Sequence, residues 1–385
     1  MGLKIGLILL NMVGPLFFLM GLMLRGTHIN FPSLAILSLS SCELRDFPHL
    51  LKNVKTLKFL DISNNKIRGQ IPNWFSSPLP SSICYTNKLK FLDLSHNNFS
   101  NSIPSCMGSM ANLTVLDLRR NNFTGSIPPL CAQSTSLRTI VLNGNQFEGP
   151  VPMSLLNCAG LEILDVGKNA IDDTFPAWLG TLQELQVLIS KSNKFRGPIS
   201  TCQAKFCFPK LRIFDVSRNE FSGSLPAKVF GNFKAMIKLD GGDKGETKYM
   251  KPLIQNEFSD IRIDKSSRYM IEIVSDEVYK DSLRLVIKGQ DIEVERISTI
   301  MTTIDLSSNH FEGVIPKTLK ELNSLWQLNL SHNNLTGHIP MGSSYISICT
   351  SRGSTETTTF SRYTLLVELI TLNMLCYYSD SLLNT

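Results

Sequence analysis

One pattern of apolar residues recurs along the chain, most often every 24 residues. It is complete in NLTVLDLRRNNFTGSIP at 112–128, and four successive intervals from Leu89 to Leu185 are all 24 residues long. The first apolar residues of the copies are Leu34, Leu57, Leu89, Leu113, Leu137, Leu161, Leu185, Leu211, Met301 and Leu325. So regular a period predicts a solenoid, in which each copy forms one coil and buries its apolar residues by stacking on its neighbours.

Each coil is predicted to begin with a short strand. Leu116 and Leu118 alternate with Val115, Asp117 and Arg119, which is the period of two expected of a half-buried strand. The leucines should point into the core, and the intervening residues should face solvent on the concave side. Stacked parallel strands would then form one continuous curved sheet.

An asparagine follows the strand in nearly every coil, at Asn65, Asn97, Asn121, Asn145, Asn169, Asn193, Asn219, Asn309 and Asn333. Its amide can bond backbone groups of its own and the neighbouring coil, which a buried turn needs because unpaired polar groups are costly. Further on, Gly125 permits a bend, and Pro128 limits pairing on the opposite side because proline has no N–H to donate. The predicted fold class is a mostly β solenoid of the α/β type, shaped as a horseshoe with a parallel concave sheet.

Aspartate recurs at one concave position, and this column has two interpretations. Its members are Asp61, Asp93, Asp117, Asp165, Asp215 and Asp305. The column is either an acidic stripe for a basic ligand or a structural feature of the repeat. Residues that do not recur are better candidates for specificity. The predicted ligand-binding residues of the concave face are Asp93, Asp117, Arg119, Asn143, Asp165, Lys191, Asp215 and Gln327.

The repeat is interrupted between Leu211 and Met301, which lie 90 positions apart. Of the 63 residues at 234–296, 25 are charged, and none fits the repeat. This shift predicts an inserted island domain; the alternative is a charged disordered loop. The alternating residues 282–288, Gly289 and the run 292–295 predict a hairpin. The island residues predicted to make contacts, chosen as large amphipathic or cationic side chains, are Tyr249, Lys251, Tyr279 and Arg284.

Both ends of the chain depart from the repeat. Lys4 precedes an apolar run at 5–24, which predicts a secretory signal or, if it is not cleaved, a signal anchor. After Pro340, serine and threonine make up 16 of the last 45 residues. The best apolar run there, at 365–378, is too short to span a bilayer.

Sequons and cysteines agree with a secreted or lumenal route. Five Asn-x-Ser/Thr sequons predict glycosylation at Asn98, Asn112, Asn122, Asn329 and Asn334. The nine cysteines include no CxxC pair of the kind that binds zinc. Cys202 and Cys207 are close enough in sequence for a local disulfide.

No catalytic motif is present. The sequence has no HExxH, GxSxG, glycine-rich phosphate loop or kinase signature, and its six histidines are scattered. The net charge of +6 comes from interspersed residues, which argues against nucleic-acid binding. We therefore predict a protein that is not an enzyme and needs no metal or cofactor.

Three segments carry a family resemblance: FSGSLP at 221–226, FPSLAILSLSSCELRDFP at 31–48 and TTIDLSSNHFEGVIP at 302–316. Together with an island placed a few coils before the end of the array, they resemble the plant leucine-rich-repeat receptor-like proteins over about residues 31–340. The resemblance implies a cell-surface protein with one membrane span and no kinase. Such a protein perceives microbial or endogenous peptide ligands and signals through partner receptor kinases.

The family usually has cysteine-paired caps and many more coils, so the chain is similar to a truncated member. Its predicted domains are 1–26, a signal peptide or signal anchor; 31–233, leucine-rich repeats; 234–298, an island domain; 299–340, leucine-rich repeats; and 341–385, an atypical Ser/Thr-rich tail.

Three functional hypotheses follow. The first is a receptor-like ectodomain in the secretory pathway, at the plasma membrane or outside the cell, in defence or development. Its partners would be a peptide, glycan or protein ligand and a co-receptor kinase, with membrane association through the N-terminal segment or a missing C-terminal span. The second is a secreted inhibitor of a microbial cell-wall-degrading enzyme, similar to plant polygalacturonase-inhibiting proteins. The third is a non-functional fragment. The island favours the first, because those inhibitors have an unbroken array.

Overall fold

The computed structural model describes residues 34–72, 88–132, 136–237, 282–287, 290–294, 297, 301–337 and 347–349. The predicted N-terminal signal or anchor, almost all of the Ser/Thr-rich tail, and Tyr249, Lys251 and Tyr279 lie outside the described residues. Within the described residues, no helix has the length and apolar character needed to cross a membrane.

One parallel sheet of eleven short strands forms the concave side of the solenoid. Its strands are β1 (Ile36–Ser38), β2 (Phe59–Asp61), β4 (Phe91–Asp93), β6 (Val115–Asp117), β8 (Thr139–Val141), β10 (Ile163–Asp165), β12 (Val187–Ile189), β14 (Ile213–Asp215), β18 (Thr303–Asp305), β20 (Gln327–Asn329) and β22 (Ser347–Cys349). Ile213 of β14 pairs directly with Thr303 of β18. The sheet is therefore continuous across the inserted segment. This architecture confirms the predicted fold class.

Shorter parallel sheets line the opposite part of the coils. Five strands form one of them: β3 (Arg68–Gly69), β5 (Asn98–Asn101), β7 (Asn122–Ser126), β9 (Gln146–Gly149) and β11 (Ala170–Ile171). Four form the other: β13 (Arg196–Gly197), β15 (Glu220–Ser224), β19 (His310–Val314) and β21 (Asn334–Thr336). Gly125 bends β7 with a φ of +75°, a conformation that glycine adopts without strain.

The helical segments are single turns, and all of them except Lys234–Ile237 follow a proline. The 3₁₀ turns are His49–Asn53, Ser105–Ser109, Met153–Asn157, Ala177–Thr181 and Lys317–Glu321. Two short α-helices, α1 (Ala227–Phe230) and α2 (Lys234–Ile237), close the coil that precedes the insert. Pro104, Pro152 and Pro226 cap three of these elements, where a missing N–H costs nothing because the first turn leaves it unpaired.

Phenylalanines stack from coil to coil inside the solenoid. Phe123 lies between Phe99 and Phe147, with ring centroids 5.9 and 6.1 Å away. Phe221 lies in the same way between Phe195 and Phe311, at 5.9 and 6.3 Å. These rings are fully buried, so the core is a column along the solenoid axis.

The asparagines link each coil to the one before it, as predicted. Nδ2 of Asn121 donates to the carbonyl oxygens of Leu94 at 2.9 Å and Leu118 at 3.1 Å. Its Oδ1 accepts from the backbone N–H of Phe99 at 3.0 Å. The residue just before the asparagine adopts left-handed φ values between +52° and +69° in nine coils, at Asn64, His96, Arg120, Gly144, Lys168, Ser192, Arg218, Ser308 and His332.

Disulfides reinforce the coils in the described part of the chain. Cys131 and Cys158 join adjacent coils, and Cys202 bonds to Cys207 as their spacing predicts. Cys42 occupies the asparagine position of the first coil as a buried thiol. Burial, and secondarily the charge of Asp61, raises the pKa of this thiol.

Candidate functional site

The concave face holds the predicted ligand-binding residues, and most of them are buried. Asp117, Asp165 and Asp215 are only 1 to 2% exposed, and Arg119 and Lys191 are also buried. The expectation that these side chains face solvent is therefore wrong. The predicted hairpin of the insert packs on the same side of the sheet.

Each aspartate of the column accepts a hydrogen bond from the backbone two residues further on. The N–H of Ser95 donates to Asp93 at 2.8 Å, and that of Gly167 donates to Asp165 at 2.9 Å. Asp61, Asp117, Asp215 and Asp305 accept the same bond. This shared contact gives the aspartates a structural role at the end of each strand, which is the second of the two interpretations of the column.

Burial makes several of these carboxylates weaker acids. Desolvation raises the pKa of Asp93 well above its usual range, and the nearby charges of Asp117 and Asp61 raise it further. Desolvation and the charge of Asp215 raise the pKa of Asp305 to about 6. The pKa values of Asp61 and Asp165 are also raised, chiefly by burial. These carboxyl groups of the column therefore hold a proton more tightly in the folded chain than a free aspartate does.

Two buried cations lie among the aspartates. Nε of Arg119 donates to Oδ2 of Asp117 at 2.8 Å, and its Nη2 lies 2.6 Å from the same oxygen. Nζ of Lys191 is 3.4 Å from Oδ2 of Asp215. Each cation extends from the second residue after a buried strand to a carboxylate of the sheet, so both are held in place.

The hairpin of the insert packs against this face of the sheet. It consists of β16 (Leu283–Ile287) and β17 (Gln290–Val294), which pair antiparallel as predicted. Leu283 and Leu285 form an apolar cluster with Ile297 of the insert and with the four concave-face residues Ile163, Val187, Ile189 and Ile213. We refer to these four as the apolar strip.

Arg119 joins the same hairpin by polar contacts. Its Nη1 donates to the carbonyl oxygen of Ser282 at 2.8 Å and is 2.9 Å from the Ser282 hydroxyl. One guanidinium therefore bridges the aspartate column and the residue that directly precedes β16.

Sequence reasoning missed the apolar strip. The available signal was in β12, where Val187 and Ile189 place two apolar residues at positions expected to face solvent. An apolar pair at exposed positions indicates that another element covers them.

The other predicted concave residues occupy different surroundings. Asn143 is half-buried and its Nδ2 donates to Oδ2 of Asp165. Gln327 is buried in β20, which is the second strand beyond β14 in the concave sheet. Arg284 lies in β16. Within the described residues, no group of three His, Cys, Asp or Glu side chains is arranged to hold a metal ion.

Four of the five sequon asparagines are exposed, namely Asn98, Asn112, Asn122 and Asn334. Asn329 differs because it lies in the concave sheet with only 8% of its surface exposed. Its Nδ2 donates to Oδ2 of Asp305 at 3.0 Å, and its Oδ1 accepts from the Ser331 hydroxyl at 2.9 Å. The predicted glycosylation of Asn329 is therefore inconsistent with the folded chain.

Comparisons with known proteins agree with this architecture. The family description "Leucine rich repeat" matches residues 87–147, and a second description, "Leucine Rich Repeat", matches residues 56–78, 301–322 and 324–345. Receptor-like protein 35 of Arabidopsis thaliana is 37% identical over 340 residues, which cover 76% of this chain and 33% of the relative.

Two solved structures share the fold. One is the ectodomain of the Arabidopsis thaliana receptor kinase GASSHO1/SCHENGEN3 in complex with CASPARIAN STRIP INTEGRITY FACTOR 2, with a TM-score of 0.56 and 25% identity over 81% of this chain and 29% of that one. The other is PEPR1–AtPEP1, with a TM-score of 0.55 and 27% identity over 79% of this chain and 32% of that one.

The chain therefore belongs to the leucine-rich-repeat proteins. Among these it is similar to plant receptor-like proteins, as the sequence resemblance implied, and proteins of this class are not enzymes. The chain spans about a third of the length of the first relatives it matches.

Proposed function

We propose that the chain recognises a peptide or protein ligand outside the cell, using the concave face together with the insert. The observation that carries this proposal is the packing of the insert's hairpin on the apolar strip. It shows that this part of the concave face already accommodates a strand-like polypeptide. The GASSHO1/SCHENGEN3 and PEPR1 structures support the proposal as similar solenoids solved with a second component.

Signalling through a partner receptor kinase is the second part of the proposal. Its support is the similarity to the receptor-like proteins of Arabidopsis thaliana. A location at the plasma membrane or in the extracellular space follows from the same similarity. The four exposed sequons are compatible with passage through the secretory pathway.

Two variants of one coil provide a matched test of ligand binding. Asn143 lies on the concave side, whereas Gln146 is exposed in β9 on the other side of the coil. Asn143→Arg and Gln146→Arg therefore place the same new charge on opposite surfaces.

The purified full chain would be immobilised and exposed to peptides extracted from the plant extracellular fluid. Bound peptides would be identified by mass spectrometry, synthesised and titrated by calorimetry. We expect a saturable peptide whose affinity falls about tenfold or more in Asn143→Arg and is unchanged in Gln146→Arg. Equal binding by both variants would contradict recognition by the concave face.

A further inference from the structure

The hairpin contacts the concave face as a separate layer. Its cluster with the apolar strip is distinct from the main core, which lies on the other side of the sheet. Leu283 and Leu285 are 1% and 4% exposed, whereas Ile292, which pairs with Leu285, is 38% exposed. Leu283 and Leu285 of β16 are therefore buried against the solenoid, and Ile292 of β17 is more exposed.

The polar contact at the start of the hairpin depends little on the identity of the side chain. Arg119 binds the main-chain carbonyl of Ser282 as well as its hydroxyl. Any extended polypeptide entering at this point presents a carbonyl group to the guanidinium. Nε and Nη2 of Arg119 contact Asp117, which keeps the guanidinium in place.

These contacts define the chemistry that the face recognises. The strip offers four apolar side chains on three neighbouring strands, β10, β12 and β14, which lie about 4.8 Å apart in such a sheet. An extended segment with apolar residues at alternate positions matches this arrangement because such residues share one face. Arg119 adds a preference for a main-chain carbonyl at one end.

We propose that Arg119 and the apolar strip form a binding site for an extended peptide with alternating apolar residues, and that the hairpin fills this site as an internal ligand. An external peptide of the same chemistry binds by displacing the hairpin. This inference rests on the proposed function for the existence of an external ligand. The displacement itself is a property of this chain and is tested without that ligand.

Adjacent residues of β12 provide a reporter and its control. Ile189 belongs to the strip, and Leu188 belongs to the main core on the opposite face of the same strand. Ile189→Cys and Leu188→Cys would be made separately in the full chain. Their reaction with a maleimide would be followed by mass spectrometry of the peptides, which separates each reporter from the natural cysteines.

Opening the hairpin should expose the first reporter only. Leu285→Asp places a charge in the apolar cluster, and Ile292→Asp places the same charge at the paired residue of β17, which is 38% exposed and lies outside the cluster. We expect Leu285→Asp to speed the labelling of Cys at position 189 about tenfold or more, because a local opening exposes it. Labelling at position 188 should stay slow, and Ile292→Asp should change neither rate.

A synthetic peptide then tests replacement of the hairpin. The probe is the 16-residue sequence SLRLVIKGQDIEVERI, taken from residues 282–297. Added to the chain that carries Leu285→Asp and Ile189→Cys, it should slow the labelling about threefold or more, as a ligand that covers the site does. A control peptide with aspartate at the positions of Leu283 and Leu285 should have no effect.

Three results would overturn the inference. Unchanged labelling at position 189 in Leu285→Asp would mean that the hairpin does not cover the strip. Faster labelling at position 188 as well would make the hairpin a fixed part of the fold and not a displaceable ligand. Lack of protection by the probe would mean that the opened face does not accept a peptide. Failure to find an extracellular ligand would leave these results intact, so the two proposals fail separately.

Discussion

Nearly every coil turns at one asparagine whose side chain completes backbone hydrogen bonds of two coils. Asn145 is a buried example: its Nδ2 donates to the carbonyl oxygens of Leu118 and Leu142 at 3.0 Å each, and its Oδ1 accepts from the N–H of Phe123 at 3.1 Å. These three groups have no access to solvent if the amide is lost. The residue therefore acts as a structural link, and its recurrence in the sequence has a physical cause.

Replacement of this link should be costly. We expect Asn145→Ala to lower the free energy of unfolding by about 2–4 kcal/mol, because it leaves buried backbone groups without partners. The neighbouring exposed change Gln146→Ala should cost less than about 0.5 kcal/mol. Urea denaturation of both variants measures the difference, and equal midpoints would contradict the structural role of Asn145.

The aspartate column should give the fold an unusual pH dependence. Asp305 has a pKa of about 6 in the folded chain against an ordinary value of 3.8, so the folded state holds its proton more tightly. The contribution of Asp305 to stability is then greatest at low pH, falls as pH rises from about 4 to about 6, and is flat above that range.

Between pH 5 and pH 7 the contribution of Asp305 amounts to roughly 1 kcal/mol. The wild-type chain should have a higher Tm at pH 5 than at pH 7, and Asp305→Asn should reduce that difference. Calorimetry at the two pH values measures both effects. A wild-type Tm that rises with pH over this interval would be the opposite of the expected sign.

Burial should also decide which sequons carry glycans. Glycans are expected at the exposed residues Asn98, Asn112, Asn122 and Asn334 and not at Asn329, whose amide is buried against Asp305. Glycopeptide mass spectrometry of the chain secreted from plant cells would measure occupancy. Full occupancy of Asn329 would show that its strand is not folded as described when the glycan is added.

At the scale of the elements, the repeat dictates strand, turn and core together. The period of two in β6, the asparagine after it and the inward Phe123 all indicated their structural positions from sequence. The two strands of the hairpin were equally predictable, because alternation and Gly289 are local signals. Local pattern could not show what packs on the concave face. That depends on contacts between residues far apart in the chain, such as Arg119 with Ser282.

Loss of a ring from the phenylalanine column should lower the free energy of unfolding strongly. Phe123 is fully buried between Phe99 and Phe147, so Phe123→Ala should cost about 3–5 kcal/mol through lost burial and the cavity that remains. Phe206 is 47% exposed, and Phe206→Ala should cost less than about 1 kcal/mol. A denaturation series would compare them. A similar loss in both would mean that the stacked rings do not form the core.

For the whole molecule, the insert changes what the solenoid presents to a partner. Strands β14 and β18 pair directly, so the array continues as if the insert were absent, while the hairpin returns to cover the apolar strip. The sequence predicted both the break in the array and the residues of the concave face. It did not predict that the insert packs on the concave face. Val187 and Ile189 indicate that some element covers this surface, but they do not indicate which one.

Photo-crosslinking can detect the contact between the insert's hairpin and the apolar strip of the solenoid. A benzophenone amino acid at position 189 of the full chain should crosslink to peptides containing residues 283–297, because Ile189 lies in one cluster with Leu283, Leu285 and Ile297. The same group at position 188 should crosslink only within the repeats, because Leu188 lies in the main core. Crosslinks from position 189 that never reach the insert would show that the hairpin does not pack on the apolar strip.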